Sequence, residues 1–175
     1  MPSRRLINVG GFLACVAMLA YAYFYAEGVL HLEPCPLCMF QRVGVGLLGI
    51  VFLVAALHHP ASRVGARVYA VLIGLVAAFP GYVAGRHVYI QSLPEGSVPS
   101  CGATLDYMLD VFPLLTVVRK VLTGGGECAK IDWSLLGLSM PGWVLVAVVL
   151  LAVAGIVANW RVDSSRAAQV SAASS

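Results

Sequence analysis

The sequence predicts an all-α membrane protein, a bundle of four transmembrane helices with two outer loops, the second carrying a short amphipathic helix. Three observations predict it. The 175-residue chain is 60% hydrophobic and only 11% charged, against about 25% charge in a soluble domain. The apolar residues gather into four long segments of about 18–21 residues, enough to cross a hydrocarbon core of ~30 Å as helices. Net positive charge collects on one side of those segments and net negative charge on the other.

The first segment runs from about Leu6 to Ala26, with Asn8 as its one strongly polar residue. It is longer than the 7–15-residue core of a cleaved signal peptide, so we expect it to stay as a span. Tyr21, Tyr23, Phe24 and Tyr25 mark its outer end, where rings favour the membrane interface. A short outer loop, residues 27–38, leads to the second span, 39–57. The third span is 68–85 and the fourth 141–159, the last bracketed by Trp143 and Trp160. A bilayer leaves no backbone group to water, so each span is expected to be a helix.

The second outer loop, 86–140, is long. Inside it Leu114, Leu115, Val117, Val118, Val121 and Leu122 recur at helical spacing, with Thr116, Arg119 and Lys120 on the other face. Pro113 suits a helix start, and Gly124-Gly125-Gly126 ends the pattern. Such a helix either lies on the membrane surface or packs against the spans. Residues 1–160 thus form one membrane domain. The tail, 161–175, is small and polar and is expected to be disordered.

Charge orients the bundle. Arg4, Arg5, Arg63, Arg67, Arg161 and Arg166 share one side with a single acid, Asp163. The other side carries Glu27, Glu33, Glu95, Asp106, Asp110, Glu127 and Asp132 against Arg42, Arg86, Arg119, Lys120 and Lys130. The positive-inside rule then puts both termini in the cytoplasm and both large loops outside. No basic stripe interleaved with exposed aromatics points to nucleic acid.

The chemistry lies in the cysteines. Cys35-Pro36-Leu37-Cys38 stands at the outer mouth of the second span. Two cysteines at this spacing can close a small, reactive disulfide, and a thiolate gains from the positive end of a helix. Arg42 follows Cys38 by four residues, on the same helix face. It can stabilise a thiolate and hold an oxygen of a bound ligand. A C-x-x-C alone is ambiguous between redox and metal chemistry; the helix start and the arginine favour redox. Cys101 and Cys128 lie in the second loop, where an oxidising compartment favours a Cys101–Cys128 disulfide. That bridge is either an inert staple or an exchange partner of the first pair. Cys15 sits mid-span and reads as packing. His87, at the outer end of the third span, matches Arg42 in depth and can bond a carbonyl or pass a proton. His58 and His59 face the cytoplasm and receive no role, and the sequence leaves the role of His31, in the first outer loop, open.

The chain resembles the bacterial disulfide bond formation protein B family, DsbB. The resemblance rests on the four spans, the C-x-x-C-x-x-x-R motif from Cys35 to Arg42, and the cysteine pair of the second loop. His87 with Gln91, the stretch Cys128 to Trp133, Leu136-Gly137-Leu138 and Met140-Pro141-Gly142-Trp143 are also similar to the family's pattern. The resemblance covers about Leu6 to Trp160. It implies an inner-membrane thiol oxidase that reoxidises a periplasmic DsbA-like dithiol oxidase and passes two electrons to a membrane quinone, of the ubiquinone or menaquinone type. Cys101 would form the mixed disulfide with the partner, and Cys128 would exchange with Cys35. Cys38 would meet the quinone beside Arg42, with His87 lining the same pocket. Cys35–Cys38 and Cys101–Cys128 would be the two disulfides. The competing expectation is four cysteines around a zinc ion.

Overall fold

The computed structural model describes residues 3–58, 60, 62–94 and 110–160. Cys101 and the tail 161–175 lie outside the described residues. Helix α1 covers Arg4–Ala20 and continues as a π-helical segment, Tyr21–Glu27. Then follow α2, Pro36–His58; α3, Arg63–Gln91; α4, Leu114–Thr123; α5, Gly126–Ala129; and α6, Met140–Trp160. The α1 run with its π extension, α2, α3 and α6 are long and apolar enough to cross a membrane. Leu13, Leu57, Leu75 and Leu150 are each more than half exposed. A bundle that turns such residues outward is built for lipid.

Local chemistry sets the helix ends. Ser3 accepts from Leu6 N and Ser62 from Gly65 N, so each caps a helix start. Pro36 opens α2 at a position where its missing N–H is no loss. Helix α3 overruns the apolar window 68–85 at both ends. Its first and last turns, Arg63–Arg67 and Arg86–Gln91, keep helical winding although Arg63, Arg67, Arg86, His87 and Gln91 are polar. Pro80 lies inside α3 and is buried, which membrane helices tolerate.

In the ring of helices α1 packs on α2, α2 on α3, α3 on α6, and α6 closes on α1. The central core is Cys15, Val45, Leu48, Phe52, Ile73, Ala77 and Val148. Phe52 fills the axis. Gly11 of α1 and Gly155 of α6 face its ring from two sides, and a Cβ at either would come within 2.8 and 2.7 Å of it. Small residues here let three backbones close on one aromatic ring. Cys15 is fully buried in this core, where a thiol is a small apolar filler.

The buried amides pair. Asn159 Nδ2 donates to Asn8 Oδ1 at 2.9 Å, and Asn8 Nδ2 returns a bond to Asn159 Oδ1 at 3.3 Å. The one polar residue of the first span is thereby satisfied by the last turn of α6.

The amphipathic helix, α4, combines both expectations. Val117 and Val121 are buried with Leu37, Val83 and Ile90 of α2 and α3. Leu114 and Leu115 remain about two-thirds exposed at its start. One stripe thus packs on the spans while its N-terminal leucines stay free for a membrane surface. The chain is also not purely helical. Ser134–Leu135 and Leu138–Ser139 pair as a two-residue antiparallel hairpin. Its turn residues, Leu136 and Gly137, both have positive φ, the winding that suits a two-residue hairpin loop.

Candidate functional site

The site stands at one end of the bundle, where α2 begins and α3 ends. Cys35 immediately precedes α2 and Cys38 lies in its first turn. Their sulfurs are 3.4 Å apart, against about 2.05 Å in a disulfide, so the pair is present as two thiols. His87 comes in from the last turns of α3. Its Nε2 is 3.8 Å from Cys35 Sγ and its Nδ1 4.0 Å from Cys38 Sγ.

Two further bonds orient the imidazole. The amide nitrogen of Gln41 lies 3.0 Å from Nδ1, and the carbonyl oxygen of Cys128 lies 3.1 Å from Nε2. An amide nitrogen only donates and a carbonyl only accepts, so Nδ1 is the acceptor and Nε2 carries the proton. Gln41 is buried. Sequence reasoning passed over it. The available signal was a lone amide in an apolar span, three residues beyond Cys38 and hence on its face.

The second loop is tied down around Cys128. Arg86 donates to the carbonyls of Leu122 and Thr123 at 3.1 Å each, holding the last turn of α4. Gln91 Nε2 donates to Lys130 O at 3.4 Å, and Ser139 donates to Gln91 Oε1 at 2.6 Å. Trp143 Nε1 donates to Leu135 O at 3.1 Å. Cys128 is thereby buried against Cys35 and Leu37. A hydrogen bond to the Cys35 sulfur pushes the Cys128 thiol well up from its ordinary range, and burial adds to this. In reduced protein this environment favours the Cys128 thiol over its thiolate. We therefore expect Cys128 to be slow to react with iodoacetamide at pH 8 in native reduced protein and to react fully once unfolded, as read by peptide mass spectrometry. Fast labelling in the native state would remove the sulfur contact from the site.

Arg42 also reaches this end. Its guanidinium pairs with Glu27 and lies over the Tyr23 ring, 4.6 Å from the centroid. Two cavities meet here. The smaller, about 80 Å³, mixes charged and apolar groups and is lined by Cys35, Cys38, Arg42, His87, Lys130 and Asp132 among others. The larger, about 400 Å³, lies between α1, α2 and α6 and is lined mainly by apolar groups, including Met18, Tyr21, Val45, Trp143 and Val144. Cys38, Arg42, Trp133 and Met140 line both. His87 lines the smaller cavity but is not among the residues lining the larger. The structure thus brings together Cys35, Cys38, Arg42, His87 and Cys128.

Cys35, Cys38 and His87 also present their donor atoms within 4.8 Å of one another, a spacing a soft metal ion can bridge. Both ring nitrogens of His87 are already engaged, by Gln41 and by Cys128 O, so metal binding would first break one of those bonds.

A membrane bundle with a dithiol, an imidazole and a guanidinium at one end, opening to an apolar cavity, is a membrane thiol oxidoreductase in its architecture. The profile of the family described as disulfide bond formation protein DsbB matches residues 4–158, and the chain belongs to that family. Among its relatives, disulfide bond formation protein B of Nitrosococcus oceani is 50% identical over 160 residues, 91% of each chain. The protein of the same description from Marinobacter nauticus is 49% identical over 167 residues, 95% of this chain and 97% of its own. That from Methylococcus capsulatus is 46% identical over 164 residues, 93% and 98% of the two chains. No solved structure matches. Membership makes the chain a redox enzyme, a quinone-dependent protein-disulfide oxidoreductase.

Proposed function

We propose that the chain reoxidises a periplasmic DsbA-like dithiol oxidase and carries the two electrons through two cysteine pairs to a membrane quinone. The observation that carries this reading is the position of Cys38 and Arg42, which line both the cavity that holds the dithiol and the larger apolar one. One wall thus joins a place for thiol exchange to a place for a lipid-soluble ring.

The first exchange falls to the loop pair. A thiolate of the reduced partner attacks Cys101 of a Cys101–Cys128 disulfide, and the leaving sulfur is Cys128. The partner's second thiol then displaces Cys101, so the partner leaves oxidised and the loop pair reduced. Cys128 next exchanges with the Cys35–Cys38 disulfide at Cys35, and Cys101 closes back on Cys128. Cys35 and Cys38 are left as thiols, the state with sulfurs 3.4 Å apart. Packing of Cys128 against Cys35 supports this order. His87, with its Nε2 proton near Cys35 Sγ, is placed to hold a proton as that sulfur changes charge.

The larger cavity fits a quinone. Its volume suits a small ring system, its walls are apolar, and Gln41 and Arg42 supply polar groups beside Cys38. Bound quinone supplies an acceptor for two electrons and two protons. On the protein side, Cys35 and Cys38 lose those electrons and protons as their S–S bond forms again. Arg42 offers a fixed cation to the ring oxygens, and Trp133 and Trp143 shield the site from water.

The test is a mixture of purified protein, reduced dithiol partner and quinone, followed by quinone absorbance. We expect one quinone reduced for each partner disulfide formed. Protein that holds one zinc per chain and reduces no quinone would overturn the reading in favour of a metal site.

The sidedness is part of the same proposal: inner membrane, both termini cytoplasmic, all four paired cysteines periplasmic. A reporter active only in the periplasm, fused after Val162, is expected to be silent. Strong activity there would reverse the bundle and put the dithiols in a reducing compartment.

A further inference from the structure

The ion pair behind Arg42 has a function of its own. The π-helical segment Tyr21–Glu27 carries bonds that run five residues back, such as Leu30 N to Tyr25 O at 3.0 Å. Such winding is rare and gathers at functional sites. Here it brings two groups to one guanidinium: the Tyr23 ring beneath it and the Glu27 carboxylate at Nη1. The Arg42 side chain is only 11% exposed and that of Glu27 30%, so bulk salt screens the pair little. Arg42 lines both cavities, whereas Glu27 lines neither. The carboxylate therefore touches the cation without forming part of either cavity wall.

Resting on the reading that Arg42 meets the quinone, we infer that Glu27 is a specificity-determining residue: by offsetting the charge of Arg42 it tunes the site to neutral quinone rings over anionic ones. A bare guanidinium in an apolar cavity attracts any anion strongly, because little solvent competes. Backed by a carboxylate, the same guanidinium keeps its planar donors for a carbonyl oxygen but presents little net charge. A neutral quinone is then not outcompeted by fatty-acid carboxylates or hydroxylated, ionised rings from the bilayer.

The test is equilibrium binding to the purified full-length protein, read by quenching of tryptophan fluorescence, since Trp133 and Trp143 line the cavity. The probes are 1,4-naphthoquinone, which is neutral, and its 2-hydroxy derivative, an anion at neutral pH. Glu27→Gln is expected to tighten the anionic probe roughly tenfold, the scale of one uncompensated charge at several ångströms, and to leave the neutral probe within about twofold. Glu27→Asp keeps the charge and is expected to restore the wild-type ratio. If Glu27→Gln does not fold, Glu27→Ser carries the same expectation. Equal weakening of both probes would make Glu27 a mechanical prop, and no change in their ratio would also overturn the inference. Arg42→Gln separates this failure from that of the underlying reading. If it weakens both probes while Glu27→Gln leaves their ratio unchanged, only the inference falls. If it binds both as wild type does, the quinone role of Arg42 falls and the inference with it.

Discussion

Cys38→Ala is expected to stop quinone reduction, lowering turnover by on the order of a thousandfold or more, the scale of losing a covalent nucleophile. The sulfur lies in the wall common to the two cavities, and no other cysteine lines the larger one among the described residues. Cys35 lines only the smaller cavity, so it has no direct substitute route. Exchange between the partner and the second loop, measured in one turnover without quinone, is expected to continue, because on the proposed route it uses Cys101 and Cys128. The control is Cys15→Ala. Cys15 packs in the central core, facing Gly49 rather than the site. Its loss leaves a small cavity costing about 1 kcal/mol, and turnover is expected to stay within about twofold of wild type. Equal loss in the two variants, both folded, would mean that stability and not electron transfer was measured.

The second large effect concerns Arg42. Arg42→Lys is expected to raise the apparent Michaelis constant for quinone by roughly tenfold while leaving partner exchange near normal, since lysine lacks the planar fork. The simpler alternative is a residue that only reaches for headgroups to anchor its helix. The surroundings argue against that: the side chain is mostly buried, stacked on Tyr23 and paired with Glu27. A lysine ammonium can pair with Glu27 but cannot also lie flat on the ring. The measurement is steady-state oxidation of reduced partner across a quinone series, beside the quinone-free exchange. Unchanged quinone dependence in a folded Arg42→Lys protein would take Arg42 out of the site.

The four spans were legible because a bilayer imposes a length and a composition on every crossing, and the sequence carries both. The ends of α3 were not, because Arg86, His87 and Gln91 are polar and yet helical. Hydropathy registers lipid, whereas these side chains are held by the second loop. The contact of Cys38 and Arg42 with one cavity was readable from their four-residue spacing. The convergence of His87 and Cys128 on Cys35 was not, since 52 residues separate His87 from Cys35. No local pattern encodes such a meeting. Gln41 belongs between the two cases: its place on the helix face was readable, but its bond to His87 was not. The same limit hid the pairing of Glu27 with Arg42 and the hairpin before α6, whose turn places Leu136 at positive φ.

The paired amides of Asn8 and Asn159 bear on how the protein is made. Asn8 belongs to α1 and Asn159 to α6, 151 residues later in the chain. Until α6 arrives, the Asn8 amide has no partner from that helix, and lipid offers none. Closure of the ring therefore waits for α6. A product shortened before Asn159 keeps three intact spans and a motif-bearing α2, yet exposes an orphaned amide in span one.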